Sequence, residues 1–183
     1  SVECYENWAD YEGMYGVSPW DDATLNLGAT GTNGPTIHSY YATISTNGNT
    51  APAKINVYSG TYISDCDVTS DLDAEDDMNV ILINANENAG TEVNIYGGTF
   101  TQTAVNATTS HVIEVRWKAQ KSIHIYGGEF RSAGSVIHMN EELEEANTAL
   151  SITGGTFSSD PSAYVAEDYK AFKNDGDTWI VRA

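Results

Sequence analysis

The sequence predicts an all-β chain wound as a single-stranded, right-handed parallel β-helix, a β-solenoid of about four coils. Three observations predict it. An eight-residue phrase recurs as "INVYSGTY", "VNIYGGTF", "IHIYGGEF" and "LSITGGTF", starting at Ile55, Val93, Ile123 and Leu150. Each copy alternates apolar and polar residues and then breaks at glycine, the mark of a strand with one buried face followed by a sharp corner. Nothing between the copies has the length or 3.6-residue period of a crossover helix. Recurring strands without helices must follow one another by winding.

The elements follow in chain order. Residues 1–23 are rich in aromatics (Tyr5, Trp8, Tyr11, Tyr15 and Trp20). They form either a cap on the first coil or an arm that docks on a neighbour, since Tyr and Trp are enriched at interfaces. Residues 24–163 form the coiled body. Within each phrase the inward pairs are Ile55 and Val57, Val93 and Ile95, Ile123 and Ile125, Leu150 and Ile152. Tyr62, Phe100, Phe130 and Phe157 follow two places after the last corner glycine, so aligned coils stack them in one column. A further alternating run lies between phrases, in "NVILINA", "HVIEVRW" and "SVIHMN". The phrases start 38, 30 and 27 residues apart, so the spacers shrink as loop insertions on a constant coil. Residues 164–183 hold two alternating runs flanking Asp175-Gly176, a hairpin signal. It predicts a C-terminal cap with Tyr169, Phe172, Trp179 and Val181 over the last coil, where a bare strand edge would invite aggregation.

The tail "LSITGGTFSSDPSAYVAEDYKAFKNDGDTWIV" resembles a module of large secreted surface proteins of gut-type Gram-positive bacteria, and of structural proteins of their phages. The resemblance rests on Gly154-Gly155-Thr156-Phe157, Asp160-Pro161-Ser162, Tyr164-Val165, Tyr169-Lys170-Ala171 and Trp179. It covers about the last 35 residues closely and the glycine repeats more loosely. It implies a β-solenoid fold and an extracellular setting, on a cell or virion surface. It supplies no catalytic residues. Where that family usually has glycine before the tyrosine, this chain has Asp168, so a different local turn is expected.

Charge narrows the function classes. The chain of 183 residues carries 26 acidic and 8 basic side chains, a net charge of −18. Such a field repels nucleic-acid backbones and anionic membranes. No apolar run approaches the roughly 18 residues of a membrane-spanning helix. Cys4 and Cys66 either form a disulfide tying the N-terminal segment to the body or remain two thiols.

The outward face of the repeated strand holds Tyr58, Tyr96 and Tyr126, beside Asn56, Asn94, His124 and Ser151. This is a strip of phenols flanked by hydrogen-bonding groups. It either contacts sugars or packs on itself, a loop or a second subunit. On the other run, Glu114, Arg116 and His138 are placed close together on an exposed face, as a surface ion-pair cluster or an acid–base pair. The acidic loop 65–77 (Asp65, Asp67, Asp71, Asp73, Glu75, Asp76, Asp77) lacks the calcium-loop order of an EF-hand. Weak calcium binding and simple solvation both remain open for it. The four histidines show no ligand-like spacing, and no phosphate loop, dinucleotide fingerprint or nucleophile motif occurs. No cofactor and no metal centre are expected.

The expected function is a non-enzymatic extracellular structural or attachment protein, on a bacterial surface or a phage virion. Its expected partners are a larger surface assembly or capsid protein, a surface polysaccharide and further copies of itself. The alternative is a polysaccharide-degrading β-helix enzyme.

Overall fold

The computed structural model describes residues 2–4, 15–46, 51–65, 79–84, 90–105, 110–116, 121–139 and 148–183. Over these residues the protein is all-β and built of parallel sheets. A strand at Val2–Cys4 (β1) comes first. Then β2 (Thr24–Leu27), β3 (Thr36–Ser39) and β4 (Ile44–Ser45) follow, and the same order repeats in β5 (Lys54–Val57), β6 (Thr61–Ser64) and β7 (Ile81–Asn84). It repeats again in β8 (Thr91–Ile95), β9 (Thr99–Gln102) and β10 (Ile113–Arg116), and in β11 (Lys121–Ile125), β12 (Glu129–Arg131) and β13 (Ile137–Met139). The series ends with β14 (Thr148–Ile152) and β15 (Gly155–Phe157), then β16 (Lys170–Lys173) and β17 (Trp179–Arg182).

These strands sort into three sheets, ordered β2-β5-β8-β11-β14, β4-β7-β10-β13 and β1-β3-β6-β9-β12-β15-β17-β16. The chain therefore visits the three sheets in a fixed cycle, and each return adds one strand beside the last. Every pairing up to β15 is parallel, while β17 joins β15, and β16 joins β17, antiparallel. Apolar side chains of all three sheets meet in one core, exemplified by Ile55, Ile81, Val93, Ile113, Ile123 and Phe130.

Register explains why the phrase repeats. Ile55, Val93, Ile123 and Leu150 are successive partners across one sheet. Tyr62, Phe100, Phe130 and Phe157 form the expected aromatic column, fully buried, with ring centroids 4.8–4.9 Å apart and planes within 12°. Tyr62 donates its hydroxyl to the Ser59 carbonyl at 2.9 Å, and burial pushes its pKa well above the ordinary phenol value.

The paired glycines do two different jobs. The second member, as at Gly128 (φ 116°), occupies backbone space that side chains rarely enter. The first member, as at Gly127, lies so close to the previous turn that a Cβ would sit 2.8 Å from the Tyr96 carbonyl oxygen. The corner therefore needs glycine once for its dihedral and once for contact.

Three details differ from the sequence reading. A fifth copy of the repeat stands at β2 and β3, where Leu25 and Leu27 pair with Ile55 and Val57, and Ile37 occupies the aromatic position opposite Tyr62. In the last hairpin, Val181 is buried, and Trp179, Tyr169 and Ala171 pack on the core. Phe172 instead pairs with Ile180 on the outer face, 40% exposed, with the Arg182 guanidinium 4.7 Å from its ring centre. The expected packing of Phe172 on the last coil is corrected by the period-two alternation: Ala171, opposite Val181, takes the inward place.

The third detail is Asp168, which adopts φ 70°. The turn is one that a glycine would enter freely, and aspartate takes it at some steric cost. Asp168→Gly relieves left-handed strain of about 1–2 kcal/mol and adds an unfolded-state entropy cost of about 0.4–1 kcal/mol, so a net gain of about 0.5–1 kcal/mol is expected, read as a higher midpoint in urea unfolding with unchanged slope.

Candidate functional site

Two groups of side chains stand out from the repeating framework. The first is the tyrosine strip. Tyr58, Tyr96 and Tyr126 immediately follow β5, β8 and β11, and parallel register brings them into line. Their rings stack with centroids 5.0 and 4.9 Å apart and planes within 6°. Tyr96 and Tyr126 are 44% and 47% exposed. Tyr96 has a stacked ring on each face, so the middle of the strip offers ring edges rather than open aromatic faces.

Beside it runs a column of Asn26, Asn56, Asn94, His124 and Ser151. The Asn56 amide donates to Asn26 Oδ1 at 2.9 Å, and the Asn94 amide donates to Asn56 Oδ1 at 3.0 Å. Asn94 also donates to Glu92 at 2.7 Å. Asn56 and Asn94 are buried, so these amides bind one rung to the next. His124 Nε2 lies 2.8 Å from Ser122 Oγ, and its ring centre is 6.1 Å from that of Tyr126. Lys54 Nζ meets Glu92 Oε1 at 2.9 Å. The Asn94 amide, and then Lys54, hold the Glu92 carboxyl below its ordinary pKa, and the bond to Glu92 raises that of Lys54.

The second group lies on the four-stranded sheet. Glu114 and Arg116 point away from the core strip Ile113 and Val115. Register places Glu114 opposite His138. Arg116 Nε donates to Glu114 Oε1 at 3.2 Å, and His138 Nδ1 lies 2.7 Å from Glu114 Oε2. A carboxylate only accepts, so the imidazole N–H is the donor there. The expected proximity of the three residues holds, but the expected exposure does not. Glu114 is fully buried and Arg116 nearly so, while the His138 side chain is 36% exposed.

The outer face of this sheet is therefore not a solvent face. Along the same sheet, Leu82 is buried with Tyr41, Ala42 and Ala104, and Tyr15 and Tyr40 pack against that cluster. His111, just before β10, joins Glu114 and His138. Its ring stacks on that of His138 with centroids 4.5 Å apart and an 18° interplanar angle. Its Nδ1 lies 3.0 Å from the Ser135 carbonyl and 2.8 Å from Ser135 Oγ. Sequence spacing concealed His111, because its neighbour His138 arrives only one turn later.

The other candidate residues are placed as follows. Tyr15 makes an edge-on contact with Tyr41, with centroids 5.8 Å apart, and Trp20 is 61% exposed. Tyr5, Trp8 and Tyr11 lie outside the described residues. Cys4 belongs to β1, opposite Ser39, whereas Cys66 lies outside the described residues, as does the acidic loop beyond Asp65. Asp65 itself meets His38 Nε2 at 2.5 Å and accepts from Thr103 Oγ1 at 2.9 Å. No helix among the described residues is long and apolar enough to cross a membrane. The chain matches no protein-family model, no curated protein and no solved structure.

Proposed function

We propose that this chain is a single-stranded, right-handed β-solenoid, closed at its C-terminal end by the β16–β17 hairpin, that serves as a non-enzymatic attachment module outside the cell. On this reading it is carried by a larger surface assembly, on a bacterium or a virion, and meets surface polysaccharide through Tyr58, Tyr96 and Tyr126. The observation that carries the reading is the exposed, prestacked tyrosine ladder. Neighbouring rings already restrict one another, so a ligand loses little side-chain entropy in ordering them. Hydroxyls at the ring edges suit a partner rich in hydroxyls. The resemblance of the tail to secreted surface modules points to the same setting.

The enzyme alternative is weaker on physical grounds. Glycoside cleavage ordinarily needs two carboxyl groups flanking the substrate. Glu114, the carboxylate of the clustered ionisable groups, is fully buried and bound on both oxygens. Such a group is poorly placed to reach a sugar.

The test is retention on a panel of bacterial surface polysaccharides, with released sugar ends followed in the same wells. Retention without release is expected. The Tyr96→Ser/Tyr126→Ser double variant should bind at least tenfold more weakly, about 1.4 kcal/mol or more. Release of sugar ends would replace this reading with a depolymerase. Retention unchanged in the variant would remove the tyrosine strip from it.

A further inference from the structure

We infer that His111, Glu114 and His138 form a binding site for a first-row divalent cation of the zinc type. One donor atom from each lies within 4.8 Å of the other two. A tetrahedral ion with bonds of about 2.0–2.1 Å holds its ligands about 3.4 Å apart. The closest pair, His138 Nδ1 and Glu114 Oε2 at 2.7 Å, is already inside that spacing. The two imidazoles stack with an 18° interplanar angle, so ligation requires them to turn out of the stack until both ring planes contain the ion. Two imidazoles and one carboxylate select zinc, cobalt or nickel over calcium or magnesium, which prefer oxygen.

The surroundings are those of a supported site. His111 Nδ1 faces the Ser135 carbonyl, which can only accept. The Ser135 hydroxyl, 2.8 Å from the same nitrogen, can also accept, so a neutral ring that satisfies both oxygens carries its proton on Nδ1 and its lone pair on Nε2, the usual outer-sphere arrangement of a metal-binding histidine. Arg116 holds Glu114 Oε1, so the carboxylate is oriented with Oε2 toward His138. The cation takes the place of the proton between His138 Nδ1 and Glu114 Oε2, and His111 Nε2 supplies the third ligand. In a neutral His138 the proton moves from Nδ1 to Nε2 as the ion binds; in the imidazolium one proton is released to solvent, so affinity falls as pH is lowered. The partly exposed His138 side leaves room for water as a fourth ligand. The net charge of −18 draws cations toward the protein. The guanidinium of Arg116 works against the ion locally. It also neutralises the buried carboxylate in the ion's absence.

The experiment uses the full chain, stripped with chelator and titrated with zinc chloride during thermal unfolding, and with cobalt(II) in visible absorption. At about a hundredfold excess over Kd, zinc should raise the midpoint by about 5–10 °C. Cobalt should give the intense bands of a four-coordinate N/O site. Both signals should vanish in His138→Gln, whose side chain is the most accessible of the three, and in His111→Gln. No stabilisation and no four-coordinate cobalt bands in the parent chain would overturn the inference. So would either signal surviving in a folded His138→Gln, because the ion would then sit elsewhere, such as the acidic loop. Should His111→Gln fail to fold, the parent and His138→Gln decide the matter.

Discussion

Phe100→Ala should destabilise the protein by about 3–5 kcal/mol, the range for removing a buried phenyl ring from a rigid core. The ring is fully buried, with Tyr62 stacked on one side at 4.8 Å and Phe130 on the other at 4.9 Å. Deleting it removes two stacking contacts as well as the burial of the ring itself. The cavity cannot close easily, because the parallel register of β6, β9 and β12 fixes the spacing of the neighbours. Phe157→Ala, at the last position of the column, loses one stacked partner rather than two and should cost less. Urea unfolding of the two variants checks both the size and the order. Equal losses would mean that the column does not act through neighbour contact.

Arg116→Ala should cost about 3–5 kcal/mol, the range for stranding one partner of a buried ion pair. Glu114 is wholly inside, and Arg116 provides a guanidinium hydrogen bond at 3.2 Å. His138 stays as a second partner, so the loss should fall toward the lower end. The diagnostic arm is the double variant Arg116→Ala/Glu114→Leu. Replacing a buried pair by apolar side chains is often close to neutral, so the second change should recover much of the first loss. The measurement belongs in chelator, so that no cation substitutes for the missing guanidinium. A double variant no more stable than Arg116→Ala would show that the arginine acts through packing alone.

The repeating parts of this architecture were plain in the sequence because each strand writes its own period and each corner its own glycine. Ile55, Val93 and Ile123 announce their column without help from tertiary structure. The fifth copy was hidden for a physical reason. Its corner is drawn out into the loop from Gly28 to Pro35, which wraps the Ser59 hydroxyl: Ala29 N donates to Ser59 Oγ at 3.2 Å, and Ser59 Oγ donates to Ala29 O at 3.0 Å. A strand of four residues followed by so long a turn carries too little pattern.

The outward residues were harder still. Alternation tells which side chains leave the core, not whether something else covers them. Glu114 points outward and is buried nonetheless, and Asn94 points outward into an amide chain. His111 opens the run "HVIEVRW" in phase with the core residues Ile113 and Val115, so alternation alone does not bring it to Glu114. In its case the informative distance is one full turn of chain, a quantity that exists only once the register is known.

The register has a consequence for how such a molecule can change its length. Residues that touch across β5, β8, β11 and β14 are counterparts in successive copies, and any two neighbours meet as the next two do. Joining Tyr96 directly to Gly127 would excise one whole copy and still bring a β8-type strand to a β12-type corner. Losing a single residue inside β8 would instead turn its core side chains outward. Growth and shrinkage are thus quantised: the body tolerates steps of one complete turn, about 4.8 Å of height each, and resists anything between. The unequal loops then act as bookmarks, making each turn distinguishable to a chain whose strands would otherwise fit one position up or down.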